Sequence, residues 1–272
     1  MIAAMASGAV KGAIDLSALS MAAVYALCIV PLAIILWNRV ALFGEAIVAL
    51  VRMTLQLLFV GVYLQFVFRL DSPWLNGAWL VIMVVVADVS IVRRSGLRLR
   101  RFVLPLFAAL LAGLAIPLLY FLGPILGREG LLEAQYAIPL GGMILGNCLR
   151  ADIIGLKSYY EAIRTREREF LHALAQGATL GEATRPYLRE ALKAALGPTV
   201  ATIATIGLVA LPGMMTGVIL GGTEPMTAIK YQIAIMVAIL TGTAITVLAA
   251  IWLTTRSSFT AHGPLDETIF RK

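Results

Sequence analysis

The chain has 272 residues, of which 60% are hydrophobic and 14% are charged, and its mean hydropathy is +0.91. A soluble domain carries about 25% charged residues, so this composition excludes a soluble globular protein and indicates an integral membrane protein. The net charge of +7 does not indicate a nucleic-acid partner, because the basic residues lie beside hydrophobic segments, as is typical of residues that orient a membrane protein.

Apolar segments of membrane-spanning length recur along the chain. A bilayer core of about 30 Å needs roughly 20 apolar helical residues. The sequence therefore predicts an all-α polytopic membrane protein with about seven transmembrane helices. The predicted spans are Leu16–Asn38, bent at Pro31, then Ile47–Phe68, Trp74–Val92, Phe102–Gly127, Ala134–Gly155, Thr199–Leu220 and Tyr231–Thr255. We expect one transmembrane domain over 1–256 and a cytoplasmic tail over 257–272, without a removable signal peptide.

The distribution of Lys and Arg predicts the orientation. With seven spans, only Lys11, Arg69, Arg128 and Lys230 fall on one side of the membrane, and every other basic residue falls on the opposite side. Cytoplasmic segments carry the excess of Lys and Arg. We therefore expect the N-terminus outside and the C-terminus in the cytoplasm of a cell inner-membrane protein.

The sixth predicted span contains helix-breaking residues. The chain is uncharged from Ala194 to Thr223, yet Pro212, Gly213 and Gly217 interrupt the middle of this segment. Backbone groups freed by such a break cannot face lipid and need protein or water. Broken spans of this kind often form transport sites. The alternative is a small-residue seam at which two helices pack closely.

One large polar insertion, 157–193, separates the fifth and sixth spans. We expect the fifth helix to continue into the cytoplasm until Gly177 ends it. Thr179 and Glu182 then have the spacing of a capping box that opens a short helix, which Pro186 is expected to end. A short helix with small neighbouring residues suits docking to a soluble partner. An ordinary solvated loop is the alternative.

Six blocks of the sequence carry a resemblance to a known family. They are Arg52-x-x-x-Gln-Leu-x-x-x-Gly61, Ile138-Pro-Leu-Gly-Gly-Met-Ile-x-Gly-Asn147, Ala-Leu-Ala-Gln-Gly-Ala-Thr at 173–179, Ala195-Leu-Gly-Pro-Thr-Val200, Gly-Leu-Val-Ala-Leu-Pro-Gly-Met-Met-Thr-Gly at 207–217, and Glu-Pro-Met-Thr-Ala-Ile-Lys-Tyr-Gln-Ile at 224–233. Together they resemble the FetB-type ABC transporter permeases. The resemblance implies a permease that works with a separate ATP-hydrolysing subunit. Bacterial members are associated with iron export and oxidative-stress resistance, and plant relatives with aluminium tolerance and nucleotide-sugar export.

The sequence motifs agree with the separate ATP-hydrolysing subunit that this resemblance implies. The chain has no Gly-x-x-x-x-Gly-Lys-[Ser/Thr] loop, so we expect no cofactor in this chain and expect ATP and magnesium in the partner ATPase. No catalytic residues are expected, and a homodimer in membrane lipid is the simplest assembly. The residues expected to couple to the ATPase are Leu171, Ala175, Gly177, Ala178, Thr179, Glu182 and Ala183.

Ten residues are candidates for the transport pathway or its hinge. Arg52 and Gln56 share one helix face, although Arg52 could instead extend toward the cytoplasmic interface. Met side chains can bind soft metals but far more often pack. The full set is Arg52, Gln56, Gly142, Met143, Asn147, Pro212, Gly213, Met214, Met215 and Gly217.

The sequence shows no convincing metal site. His172 and His262 both fall in predicted cytoplasmic segments. Asp88, the one acid predicted to be embedded, is expected to pair with an arginine just beyond it, with a cation site as the alternative. No role is assigned to Asp152. An ABC exporter of a nucleotide sugar or another small metabolite therefore remains an alternative to an iron exporter. A transporter driven by an ion gradient is a third possibility, and it would require more embedded acids.

Overall fold

The computed structural model describes residues 17–70, 72–125, 127, 133–259 and 264–270. Within these ranges the chain forms ten α-helices and only isolated β-bridges, so the all-α prediction is confirmed. The helices are α1 Ala18–Ala26, α2 Ile29–Trp37, α3 Phe43–Leu70, α4 Pro73–Arg94, α5 Leu99–Tyr120, α6 Ala134–Thr165, α7 Glu167–Ala175, α8 Leu180–Thr205, α9 Gly213–Leu220 and α10 Pro225–Ser258. The predicted span start at Leu16, and His262, lie outside the described residues.

Six helical segments are long and apolar enough to cross a membrane, which confirms a multi-pass membrane protein. They are Ala18–Trp37, Phe43–Val67, Pro73–Arg94, Leu99–Pro124, Ala134–Thr165 and Pro225–Ser258. The first comprises α1 and α2, which are separated at Leu27 and Cys28. Pro31 cannot donate a hydrogen bond to the Leu27 carbonyl, so the helix is interrupted one turn before the predicted bend.

The basic residues gather at one end of the bundle, called here the basic end. The C-terminal segment 264–270 packs there against the α4–α5 turn, where the Arg98 amide donates to the Ile269 carbonyl at 2.9 Å. Arg101 forms a salt bridge with Asp266 in the same segment. The predicted tail is therefore docked onto the bundle. Assignment of the basic end to the cytoplasm stays a prediction.

The chain crosses the bundle a seventh time through α8 and α9. α8 begins beside α7 at the basic end, whereas α10 ends there and must begin at the opposite end. The segment between α8 and α10 therefore passes from one end to the other. This crossing corresponds to the predicted sixth span, although it is split into two helices.

The core of the bundle consists of α4, α5, α6 and α10. α5 and α10 cross closely at two glycines, where a Cβ built on Gly242 would lie 2.8 Å from the Gly113 carbonyl oxygen. By contrast, the most apolar stretches of α1–α2 and α3 contain no buried residue in the isolated chain. α3 touches the core through Tyr63, whose ring stacks on Trp79 with centroids 3.9 Å apart. The first three helices are therefore peripheral.

The polar insertion differs from its prediction in two respects. α6 does continue past the membrane segment, but it ends at Thr165, and α7 follows after Arg166. The prediction that Pro186 ends a short helix is wrong, because α8 runs unbroken from Leu180 to Thr205. The loss of one backbone hydrogen bond at a proline is offset by packing of the buried Ala183 and Tyr187 on either side of it.

Candidate functional site

The break in the seventh crossing spans Ile206–Pro212. Gly207 has a φ of 86°, a left-handed conformation that favours glycine, and its amide donates to the Ala210 carbonyl at 2.9 Å. Pro212 then precedes α9 with an extended ψ of 141°. The predicted break at Pro212 and Gly213 therefore exists and begins six residues earlier.

The break lies midway along the bundle. α8 runs antiparallel to α6, with Glu190 bonded to Arg166 near the basic end and Ala195 against Gly155 farther in. Thr205 lies about 15 Å beyond Ala195, at 1.5 Å per helical residue. The non-helical segment therefore lies level with the middle of α10, where Ile206 shares a cavity with Met236 and Leu240.

The outer side of this break is exposed in the isolated chain. Leu208 is 92% exposed and Val209 is 82% exposed. None of the described hydrogen bonds ends on the carbonyl oxygens of residues 206–209. Because lipid offers no donors to such groups, this surface requires water or another protein.

Two cavities flank the break on the side of α10. One, of about 440 Å³, is lined by Leu211, Pro212 and Met215. The other, of about 420 Å³, lies between α6, α9 and α10 and is lined by Met214 and Met215. Both reach the same polar side chain, Gln232, which is 7% exposed and whose Oε1 has no hydrogen-bond partner. An unpaired buried amide oxygen is an acceptor available to a hydrogen-bond donor of a ligand.

The other predicted pathway residues lie elsewhere. A separate cavity of about 420 Å³ between α3, α4 and α6 is lined by Gln56 and Gly142. Arg52 is exposed on α3, and Asn147 donates to the Met143 carbonyl of its own helix at 2.8 Å. Gly213 and Gly217 are exposed on α9, and neither is among the residues that line the two cavities beside the break. The structure thus divides the candidates between two sides of the core.

Two buried carboxylates were not predicted correctly from the sequence. Asp152 was given no role, and Asp88 was expected to form an ion pair. Asp88 is 1% exposed and Asp152 is fully buried, and no carboxylate oxygen of either has a hydrogen-bond partner. The predicted ion pair of Asp88 is wrong, since Arg93 and Arg94 are both exposed. A charged residue at mid-membrane costs about 2.5–3.5 kcal/mol on insertion scales. Such residues are retained at functional sites.

A signal for Asp152 was present in the sequence. It falls four residues after the buried Cys148 and three before Gly155, within the buried stripe of α6. A helix presents residues three and four apart on one face. Reading α6 by face would have placed Asp152 inside the bundle.

The predicted coupling element is the tip of a helical hairpin. α7 ends in a Schellman motif, in which the Ala178 amide donates to the Ala173 carbonyl at 3.2 Å and Gly177 has a φ of 92°. α8 begins with the predicted capping box, which is confirmed: the Thr179 amide donates to Glu182 at 2.8 Å. The turn is therefore fixed by backbone hydrogen bonds at both helix ends.

Most of the predicted coupling residues are accessible. Ala175, Gly177, Thr179 and Glu182 are exposed, and Leu171 and Ala178 are half-buried. Ala183 is only 5% exposed, so it supports the hairpin and does not form its surface. The Thr179 hydroxyl and amide lower the pKa of the Glu182 carboxyl, which keeps a negative charge at the α8 N-terminus, where the helix dipole favours it.

The base of the hairpin is tied to the rest of the basic end. Arg166 donates to Glu190 at 3.0 Å, and its guanidinium lies 4.7 Å from the centre of the Tyr187 ring. Phe170 of α7 packs against Phe259 just after α10, with ring centroids 5.4 Å apart. The Arg166 guanidinium also lowers the pKa of the Glu190 carboxyl. The base of the hairpin therefore contacts both α8 and the end of α10.

Comparison with known proteins gives one consistent result. The profile described as Uncharacterised protein family (UPF0014) matches residues 18–259. The UPF0014 membrane protein slr1647 of Synechocystis is 37% identical over 86% of this chain and 90% of its own length. The Arabidopsis thaliana protein ALUMINUM SENSITIVE 3 is 32% identical over 90% of this chain and 89% of its own.

A bacterial relative carries a functional name. The probable iron export permease protein FetB of Escherichia coli is 30% identical to the chain, over 91% of this chain and 95% of its own length. The match confirms the resemblance inferred from the sequence blocks. No solved structure matches the chain.

Proposed function

The chain belongs to the UPF0014 family of membrane proteins, and from this membership we propose that it is the permease subunit of an ABC transporter that exports iron. A separate ATP-binding subunit docks on the 173–183 hairpin tip and supplies the energy. The permease itself binds no cofactor and catalyses no reaction, while ATP and magnesium are held by the partner. The iron assignment rests on the name of the Escherichia coli relative.

The observation that carries this proposal is the continuity of α8. The helix begins at the exposed hairpin tip and ends at the break, with no interruption from Leu180 to Thr205. At 1.5 Å per residue it is a rod about 39 Å long. Movement of the tip by a soluble motor is therefore transmitted directly to the non-helical segment midway along the bundle.

The break is the element that responds. Backbone outside a helix changes its φ and ψ at lower cost than backbone held in a hydrogen-bonded ladder, and hinges concentrate at the ends of such elements. When α8 tilts, Ile206–Pro212 bends, and the cavities lined by Met215 and Gln232 change their access. The pathway for the cargo then runs along α9 and the first half of α10.

A second copy of the chain covers the exposed break. The unpaired carbonyls of 206–209 need partners that lipid lacks, and Leu208 and Val209 provide apolar surface around them. Two copies related by a two-fold axis would place both breaks at one interface and enclose the pathway. A permease homodimer also presents two hairpin tips to a dimeric ATPase.

Transport in vesicles tests the proposal. Inside-out vesicles that contain the permease and its cognate ATP-binding subunit are supplied with radiolabelled ferrous iron or with a radiolabelled nucleotide sugar. We expect ATP-dependent uptake of iron, and no ATP hydrolysis by the permease alone. Uptake of the nucleotide sugar but not of iron would support an ABC permease whose cargo is a nucleotide sugar.

A transporter driven by an ion gradient is the second candidate, because Asp88 and Asp152 are a pair of embedded acids of the kind that such transporters use. A transport assay in liposomes that contain the permease alone distinguishes the two candidate functions. Accumulation of iron driven by a proton gradient, without ATP or partner, would favour this second candidate and reject the first.

A further inference from the structure

The two buried acids lie at the meeting point of three core helices. Asp88 comes from α4, and Asp152 comes from α6, where it follows Cys148 by one turn. Thr246 of α10 is buried at the same level, since Gly242 and Val247 on either side of it pack against Cys148 and Gly155 of α6. α4 and α6 both end at the basic end and Leu80 packs against Gly141, so Asp88 and Asp152 lie within about one helical turn of each other along the bundle. They form one buried polar cluster inside an otherwise apolar core.

The cluster lacks the donors that an ionised carboxylate requires. None of the four carboxylate oxygens accepts a described hydrogen bond. The Thr246 hydroxyl donates to the Thr243 carbonyl at 3.3 Å instead. A buried carboxylate without donors or a counter-charge is stabilised by taking up a proton.

Among the described residues, no charged side chain reaches the cluster from the helices packed around it. Cys148, one turn before Asp152, is the other titratable group that this described part of the chain places beside the acids. The basic side chains of these helices are exposed. Examples are Arg93 and Arg94 on α4, Arg150 and Lys157 on α6, Lys193 on α8 and Arg256 on α10. On α5, Arg101 pairs with Asp266 at the basic end. The cluster therefore has no built-in counter-ion among the described residues.

A metal ion does not fit the cluster. The described residues include no group of three or more His, Cys, Asp or Glu side chains placed to hold a metal ion. Two carboxylates side by side in an apolar environment also cannot both remain ionised. The ligand that the cluster suits is the proton.

We propose that Asp88 and Asp152 form a proton-binding site inside the transmembrane bundle, from which protons exchange with water when the surrounding helices move. Burial closes the site in this structure, and in this closed state we expect the carboxyl groups to carry protons. Opening of α6 against α4 or α10 would admit water and release the proton to it, and closure would take a proton up again. This site is separate from the cavities beside the break, and it does not depend on the identity of the cargo.

Infrared spectroscopy of the full-length permease in lipid nanodiscs tests the proposal. We expect a carbonyl band of protonated carboxyl groups at neutral pH, which is reduced in Asp88→Asn and in Asp152→Asn and shifts slowly after transfer into heavy water. A band that is missing, or unchanged in both variants, overturns the proposal. A band that never shifts overturns the exchange and leaves two static acids.

Thermal stability provides a readout that needs no spectroscopy of the acids. Asparagine mimics a neutral aspartic acid, so we expect Asp88→Asn and Asp152→Asn to melt at or above the wild-type temperature. Asp266→Asn is the matched control, because Asp266 is ionised and paired with Arg101, and we expect it to melt lower. A lower melting temperature for both core variants at neutral pH would show that the carboxylates are charged in the folded protein, and it would overturn the proposal.

Discussion

Substitution of Gly242 by alanine tests how tightly the core crossing is packed. A Cβ at this position would lie 2.8 Å from the Gly113 carbonyl oxygen and 2.9 Å from Ile144 Cγ2. Ordinary contact begins at 3.4 Å, and since the oxygen belongs to the backbone, no rotamer change relieves the clash. α5 and α10 must therefore move apart by about 0.6 Å.

The expected cost follows from two opposing effects. Overpacking of a core typically costs about 1–3 kcal/mol, whereas replacing a helical glycine by alanine gains about 0.5–1 kcal/mol. The net loss of stability for Gly242→Ala is about 1–2 kcal/mol. Gly146→Ala is the matched control on α6, because a Cβ there meets nothing within 4 Å, and it should gain about 0.5–1 kcal/mol.

Melting temperatures in detergent measure the difference. The two variants should be separated by about 2 kcal/mol, which corresponds to about 4–8 °C for a chain of this size. Gly242→Ala should melt below the wild type and Gly146→Ala at or above it. Equal melting temperatures would mean that the α5–α10 crossing is looser than the structure describes.

Three further predictions concern coupling, the hinge and acid stability. Gly181 is exposed with open space around it, so Gly181→Arg should reduce ATP-driven transport by about tenfold, the effect of 1.4 kcal/mol at a docking site, while Gly181→Ala should not. Pro212→Ala should reduce transport about two- to fivefold through a change of up to 1 kcal/mol in backbone freedom, with assembly unchanged on size-exclusion chromatography. The Thr268 hydroxyl and Arg101 lower the pKa of Asp266 from 3.8 to about 2. The stability from this carboxylate should thus be present above pH 3.8 and be lost as pH falls toward 2, a dependence that melting curves of Asp266→Asn should lack.

The membrane spans could be predicted from hydropathy because length and apolar composition alone decide insertion. The break was predictable from Pro212 and the glycines, but its start at Ile206 was not. Its geometry depends on the left-handed conformation of Gly207 and on the bond between Gly207 and Ala210.

The wrong predictions at Pro186 and Asp88 have separate physical causes. Pro186 lacks the amide that would bond to Glu182, a loss that ends an isolated helix, yet the buried Tyr187 holds α8 together across it. Asp88 and Arg93 are close in sequence, but five residues rotate a helix by about 140° from an aligned position. Asp88 therefore faces the core while Arg93 is exposed.

Burial distinguishes the tightly packed core helices from elements that move more easily. α4, α5, α6 and α10 share most of the buried apolar side chains, and their crossing at Gly113 and Gly242 leaves no space for a sliding motion. α9 has one buried residue, Met215, and α2 has none. Elements with few buried contacts open at low free energy. A push on the hairpin should consequently bend the seventh crossing first, while α5 and α10 stay together at their crossing.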